Sequence, residues 1–131
     1  MYIETGGRYF DTAYSYLGGK SEEAIGKCLS SRHPRESYML ATKLAGYDVK
    51  SYEDCWRQFE TQRTRCGVEY FDVYMLHWLN KKNYDLAEKY NEFAFLQELK
   101  SKGLIISIFS NLPTKASGIN KLAILLYLPQ G

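Results

Sequence analysis

The fold is decided by the stretch YFDTAYSYLGGKSE, residues 9–22. A short apolar run ends there at Asp11, and the phenol Tyr16 follows within one loop. Ser21 has the side chain of a helix N-cap, and Glu22 suits the positive end of a helix dipole, so a helix is predicted to begin here. The stretch therefore predicts a strand, a loop with two polar side chains, and a helix.

Two later stretches repeat this layout of an apolar run closed by one ionisable residue. The run SYMLAT, residues 37–42, is followed by Lys43, and the run FDVYML, residues 71–76, is followed by His77. Apolar runs of this length are typical of strands in a buried parallel sheet. The carboxyl ends of parallel strands lie at one edge of the sheet, so we expect these two side chains to meet the acid and the phenol of the first stretch there.

Helical patterns separate these strands, and a fourth strand follows the last helix. The run at residues 104–109 is rich in β-branched residues and is closed by Ser110 and Asn111. The helices are predicted at residues 21–31, 52–66 and 85–103. The sequence therefore predicts an α/β fold of about four parallel strands with three intervening helices, in a single domain over residues 1–131.

The predicted helices divide into core and surface positions. The second helix is expected to bury Cys55, Trp56, Phe59 and Cys66. The third helix, with Asp85 as its cap, is expected to bury Leu86, Tyr90, Phe93, Leu96 and Leu99. On the second helix, a solvated face is expected from Arg57, Arg63 and Arg65.

The composition is ordinary for a soluble globular protein and argues against several function classes. A formal charge of +2 gives no reason to expect nucleic-acid binding. No run of about twenty apolar residues is present to span a membrane, so a cytoplasmic setting is the default. The cysteines Cys28, Cys55 and Cys66 are widely spaced and form no Cys-x-x-Cys pair. We expect them to be small apolar fillers, and we expect no metal site.

Three segments together carry a family resemblance. They read FDTAxxYxxGxSE at residues 10–22, ATK at 41–43 and DxYxLH at 72–77. This combination resembles the aldo-keto reductases over residues 4–111. It looks most similar to bacterial members with an iron–sulfur cluster in a C-terminal extension that is absent here. The tail, residues 112–131, does not resemble the family.

The resemblance implies a (β/α)8 barrel, and with it a truncated chain. A complete barrel takes roughly 250 residues, and this chain has 131, so a partial barrel is expected. A partial barrel exposes unpaired sheet edges, which proteins normally avoid. We therefore expect the chain to form a homo-oligomer through these edges.

The resemblance also implies a reaction, the reduction of a small carbonyl substrate or the oxidation of an alcohol. Such a reduction leaves an alkoxide that needs a proton, and Tyr16 is the implied donor. A phenol has a pKa of about 10, which the nearby ammonium of Lys43 would lower. Asp11 would keep that lysine charged and aimed at the phenol, and His77 would orient the substrate carbonyl. These four are the implied catalytic residues.

NADPH is the cofactor that the resemblance implies, with cofactor contacts from Thr12, Ser110 and Asn111. Weak binding is expected, because the segments with which the family holds most of the phosphates and the adenosine have no counterpart in this sequence. The alternative function is a catalytically inactive remnant, or a regulatory or interaction module that needs a partner or self-association to complete the barrel.

Each candidate residue also has a simpler interpretation when it is taken alone. Asp11 could cap a turn, Tyr16 is one of 12 tyrosines, and Lys43 could be a solvated strand end. Tyr14 is the alternative phenol in the same loop. The spacing of the motif as a whole favours Tyr16.

Overall fold

The computed structural model describes residues 7–77 and 80–110, and of residues 109 and 110 it describes the backbone alone. Within these ranges the chain forms one sheet of four parallel strands in the order β1-β2-β3-β4. The strands are β1 (Tyr9–Asp11), β2 (Met39–Leu44), β3 (Phe71–Leu76) and β4 (Ile105–Ser110). The predicted α/β fold is therefore confirmed.

The register of the sheet brings the carboxyl ends of the strands to one edge. Asp11 pairs with Ala41, so that Lys43 lies two residues beyond the end of β1. Lys43 in turn pairs with Met75 on β3. The ladder continues past β3, because the backbone N–H of His77 donates to the carbonyl of Leu44 at 2.8 Å. Each polar residue that closes a strand is thereby carried to the same end of the sheet.

Within the described ranges, four helices lie between the strands, one more than predicted. They are α1 (Lys20–Ile25), which continues into a π-helical turn (Gly26–Ser30), α2 (Tyr52–Cys66), α3 (Lys81–Lys89) and α4 (Glu92–Ser101). Short 3-10 turns are formed by Tyr16–Gly19, Arg35–Ser37 and Gly46–Asp48.

The single helix predicted at residues 85–103 is wrong. Asn91 has a left-handed backbone, with φ of 58°, and divides the segment into α3 and α4. Asn80, not Asp85, caps α3, since its side chain accepts a hydrogen bond from the N–H of Asn83 at 2.8 Å. The break shifts the helical phase, and Phe95 is consequently the fully buried aromatic of α4.

The start of α1 also differs from the prediction. Gly19 precedes the helix with φ of 91°, and Ser21 lies in its first turn and does not cap it. The Ser21 hydroxyl instead lies 2.7 Å from the hydroxyl of Thr12 and shares a hydrogen bond with it. This bond ties the helix to the end of β1.

Helix α2 follows the prediction at both ends but not along its buried face. Ser51 caps it through a hydrogen bond from the N–H of Asp54, and Gly67 ends it with φ of 64°. Gln58 and Gln62 are buried beside the expected apolar residues. The buried face of this helix is therefore partly polar, which the apolar pattern could not indicate.

The core between the helices and the sheet is aromatic. Phe59 of α2 lies 5.3 Å from Tyr74, 5.7 Å from Phe71 and 6.3 Å from Phe95, measured between ring centroids. These edge-on contacts join α2, β3 and α4 into one unit.

Two predictions about the surface need correction. Cys28 is exposed, whereas Cys55 and Cys66 are buried as expected. Arg57 is solvated, but Arg65 turns inward toward the buried Glu22. None of the helices in the described ranges is long and apolar enough to cross a membrane.

Candidate active site

Lys43 lies at the centre of the polar edge of the sheet. Its Nζ donates to Oδ1 of Asp11 at 2.6 Å and to the backbone carbonyl of Thr12 at 2.8 Å. The lysine side chain is 12% exposed, whereas that of Asp11 is 47% exposed. Among the described residues, the end of β1 thus accepts hydrogen bonds from two of the three ammonium N–H groups. The third N–H group is left for another acceptor.

The Tyr16 ring stands beside this ion pair. Its centroid is 5.0 Å from Nζ of Lys43, close enough for a favourable cation–π contact. The ring also meets the imidazole of His77 edge-on, with 5.5 Å between the centroids. Tyr16 is 40% exposed, so its phenol can be reached from outside. The acid, the ammonium, the phenol and the imidazole are therefore gathered in one small volume.

Tyr47 is a fifth member of this cluster that the sequence reasoning missed. It lies in the turn Gly46–Asp48 after β2, and its ring centroid is 6.1 Å from that of His77. The sequence did contain a signal for Tyr47, since it is an aromatic residue only a few positions after β2, whose end lies in the site. His77 is thus enclosed by Tyr16 on one side and Tyr47 on another.

His77 is biased toward its neutral form. Burial lowers its pKa from 6.5, and the nearby Lys43 ammonium lowers it further, while the Asp11 carboxylate acts in the opposite direction. Within the described residues, Nδ1 of His77 is buried without a hydrogen-bond partner. A neutral imidazole carries one N–H donor, which suits contact with a carbonyl oxygen.

The loop that carries Tyr16 is shaped by a run of left-handed residues. Leu17, Gly18 and Gly19 have φ of 52°, 63° and 91°. At Gly19 a Cβ would also lie 2.6 Å from the guanidinium carbon of Arg65, so that the arginine would have to shift. The left-handed backbone is the main reason for glycine at position 19.

Arg65 joins this loop to the helices behind it. Its Nη1 donates to the carbonyl of Tyr14 at 3.1 Å and lies 3.4 Å from Oε1 of the fully buried Glu22. The guanidinium also stacks on the Tyr14 ring, 4.6 Å from its centroid. Of the two phenols in the loop, Tyr14 therefore faces Arg65 and Tyr16 faces Lys43.

A buried polar network supports Lys43 from the helix side of the sheet. Gln62 of α2 donates to the backbone carbonyl of Lys43 at 2.8 Å and to the hydroxyl of Thr42 at 3.2 Å. Tyr74 donates to the side-chain Oε1 of Gln62 at 2.5 Å, and the Thr42 hydroxyl donates to Oε2 of Glu22 at 3.1 Å. Buried polar groups paired in this way make the strand end rigid.

The residues expected to contact a cofactor are less fully described. The Thr12 side chain is completely buried and bonded to Ser21, so its available contacts are few. The backbone of Ser110 pairs with Leu76 in the sheet, but its side chain lies outside the described residues. Asn111 and the tail 112–131 lie outside them as well.

Comparison with known proteins gives relatives for both sequence and structure. The sequence model of the aldo/keto reductase family matches residues 1–116. A 9,11-endoperoxide prostaglandin H2 reductase from Trypanosoma cruzi is 39% identical over 108 residues, which are 82% of this chain and 36% of that protein. The chain thus spans about a third of the length of the curated relatives it matches.

Solved structures agree with this result. An aldo-keto reductase, MGS-M4, from a Medee basin deep-sea metagenome library aligns with a TM-score of 0.70 and 32% identity, over 86% of this chain and 39% of the other. An aldo-keto reductase from Klebsiella pneumoniae, solved in complex with NADPH, aligns with a TM-score of 0.63 and 24% identity, over 86% and 37%. The four parallel strands and their helices correspond to part of the (β/α)8 barrel of such enzymes. The chain therefore belongs to the aldo/keto reductase family.

Proposed function

We propose that this chain provides the proton-donating part of the active site of an NADPH-dependent carbonyl reductase, acting on a small aldehyde or ketone or on the corresponding alcohol. The single observation that carries the proposal is the position of the Lys43 ammonium. It lies 2.6 Å from Asp11 and 5.0 Å from the centre of the Tyr16 ring, and this ring also contacts His77 in a T-shaped arrangement.

In this proposal each of the four side chains has a separate task. Tyr16 donates the proton that the alkoxide oxygen requires, and Lys43 favours the phenolate that remains. Asp11 holds the ammonium charged and in place through their short ion pair. His77, biased to its neutral form, donates a hydrogen bond to the substrate oxygen and orients it. When bound, NADPH supplies the hydride.

The donor set of the site suits this cofactor. One ammonium donor of Lys43 is left by its two described partners, and the Tyr16 phenol is accessible at the same place. We propose that Ser110 and Asn111 contact the nicotinamide amide and that Thr12 also contributes to cofactor binding. We expect weak binding of NADPH by this chain on its own. The three described cysteines are all unpaired, which supports a reducing, cytoplasmic setting.

A second candidate is an interaction module, and one observation favours it. In the described part of the chain, β1 and β4 each have a strand on one side only. Large apolar side chains are exposed on these strands and on β2, namely Tyr9, Met39 and Ile106. Under this proposal the chain forms one domain that self-associates through its sheet edges. Light scattering after size-exclusion chromatography tests it, and a monomer at all concentrations would count against it.

The test of the first proposal compares two tyrosine variants from one loop. NADPH oxidation is measured with a panel of small aldehydes for wild type, Tyr16→Phe and Tyr14→Phe. Tyr16→Phe should lower the rate about 10²–10⁴-fold, the usual contribution of a general acid. Tyr14→Phe is the matched control and should retain the rate, because that ring packs on Arg65. Equal rates for wild type and Tyr16→Phe would refute the proposal, and no rate in any of the three would favour the interaction module.

A further inference from the structure

Glu92 is a buried acid outside the four-residue site. It is the first residue of α4 and is 1% exposed. Its carboxyl group lies directly against Gly46, so closely that a Cβ on that glycine would overlap it. Within the described residues, Oε2 of Glu92 has no hydrogen-bond partner. The reactions considered above make no use of this carboxyl group, and the contact with Gly46 indicates a different role.

The turn beneath which Glu92 lies is the one that carries Tyr47. The residue just before this turn, Gly46–Asp48, is held by Gln58 of α2. The N–H of Ala45 donates to Oε1 of Gln58 at 2.6 Å, and Nε2 of Gln58 donates back to the Ala45 carbonyl at 3.2 Å. Two buried side chains from two helices therefore fix the backbone on which the Tyr47 ring stands.

From this arrangement we propose that Glu92 is a positioning residue for the site: its carboxyl supports the turn Gly46–Asp48, and the turn sets Tyr47 against His77. The proposal rests on the proposed function only in calling this cluster an active site. The contact of Tyr47 with His77, 6.1 Å between ring centroids, is its structural readout. Gly46 and Glu92 fit together because the Glu92 carboxyl lies where a side chain at position 46 would be. The sequence alone does not indicate this contact.

This support depends on pH. Burial raises the pKa of Glu92 to about 7, so that the carboxyl is protonated in mildly acidic solution. A charge on Glu92 raises the pKa of Cys55 on α2 and of Tyr74 on β3, and both of these groups are neutral in mildly acidic solution. On the turn itself the titratable neighbours are Tyr47 and Asp48.

Ionisation would place an anion against the Gly46 backbone. No cation contributes to the pKa of Glu92 among the described residues, so the new charge would be uncompensated. We expect the turn to move away and Tyr47 to leave His77. The charged groups that act on His77 directly are Lys43 and Asp11.

The first test follows the His77 imidazole by NMR, which requires no enzymatic activity. Its Cε1–H resonance is identified with a His33→Gln variant, since the chain has 2 histidines. In wild type we expect the ordinary titration below pH 6.5 and a further shift near pH 7. The further shift should vanish in Glu92→Gln and persist in Glu69→Gln, an exposed acid that serves as the control.

The outcome is decisive either way. Superimposed His77 titrations for wild type and Glu92→Gln would overturn the proposal, whatever the chain does with NADPH. If Glu92→Gln does not fold, the wild type alone suffices, because nuclear Overhauser contacts between the Tyr47 and His77 rings should weaken from pH 6 to pH 8. Contacts of constant intensity would overturn the proposal as well.

A second test uses the shape of the contact and not its charge. Gly46→Ala should displace the turn and shift the His77 resonance, since its new methyl group meets the Glu92 carboxyl. In a Glu92→Ala background the same substitution finds space, so the additional shift should be lost. Equal effects of Gly46→Ala in the two backgrounds would show that the residues are not coupled.

Discussion

The buried carboxyl group of Glu92 should make the stability of the whole chain depend on pH. Its pKa is about 7 in the folded chain, compared with 4.5 for a solvated glutamate. Because the folded state holds the proton more tightly, the contribution of Glu92 to stability is fully present below pH 4.5 and is lost as the pH rises through about 7. A difference of this size corresponds to about 3 kcal/mol over the complete titration. Glu92→Gln removes the group that titrates and should remove this loss.

The assay is urea unfolding at pH 5, 6, 7 and 8, followed by tryptophan fluorescence. Between pH 5 and pH 8, the free energy of unfolding of wild type should fall by about 2.5 kcal/mol relative to that of Glu92→Gln. Glu69→Gln changes the same charge at an exposed position and should follow wild type. Curves for wild type and Glu92→Gln that stay parallel across this range would refute the reasoning, since a buried, unpaired acid cannot ionise without cost.

Three further predictions concern the core, a helix end and the cysteines. Phe59→Ala removes a fully buried ring from the aromatic core and should cost about 3–5 kcal/mol in urea unfolding; a loss below 1 kcal/mol would contradict the packing. Gly67→Ala forces a side chain into a backbone with φ of 64° and should lower the free energy of unfolding by about 1–2 kcal/mol, and an unchanged value would contradict that conformation. Cys28 should react with a thiol reagent in the native state, whereas Cys55, whose pKa burial raises to about 12, and Cys66, whose pKa burial also raises, should react only in urea; three fast thiols in the native state would contradict this.

The strands and the polar residues at their ends were predictable from the sequence. Each strand is a short apolar run closed by one polar residue, and parallel pairing then gathers those residues at one edge. Lys43 and His77 could be assigned to the same place because β2 and β3 pair in register. The boundaries of α2 followed for a similar local reason, since Ser51 and Gly67 both act at the helix ends themselves.

The interactions between elements were not predictable in this way. A helical pattern does not reveal one left-handed residue, so the break at Asn91 was missed, and with it the place of Glu92. The buried glutamines of α2 have partners that are distant in the chain. Ala45 is 13 positions from Gln58, and Thr42 is 20 positions from Gln62. Arg65 follows the same principle, because its partner Glu22 lies 43 positions away. Polar residues of this kind look like surface residues until the chain is folded.

The amide groups of α2 bind β2 and the residue that follows it mainly through main-chain atoms. Gln62 bonds the carbonyl of Lys43, and Gln58 bonds both backbone groups of Ala45. Apart from the bond of Gln62 to the Thr42 hydroxyl, these contacts do not depend on which side chain the strand carries, so the catalytic position Lys43 could change while the backbone geometry is retained. They also set a boundary for recombination. A chimera that exchanged α2 for the helix of a relative without both amides would separate the strand from its anchor, so β2 and α2 should be inherited together.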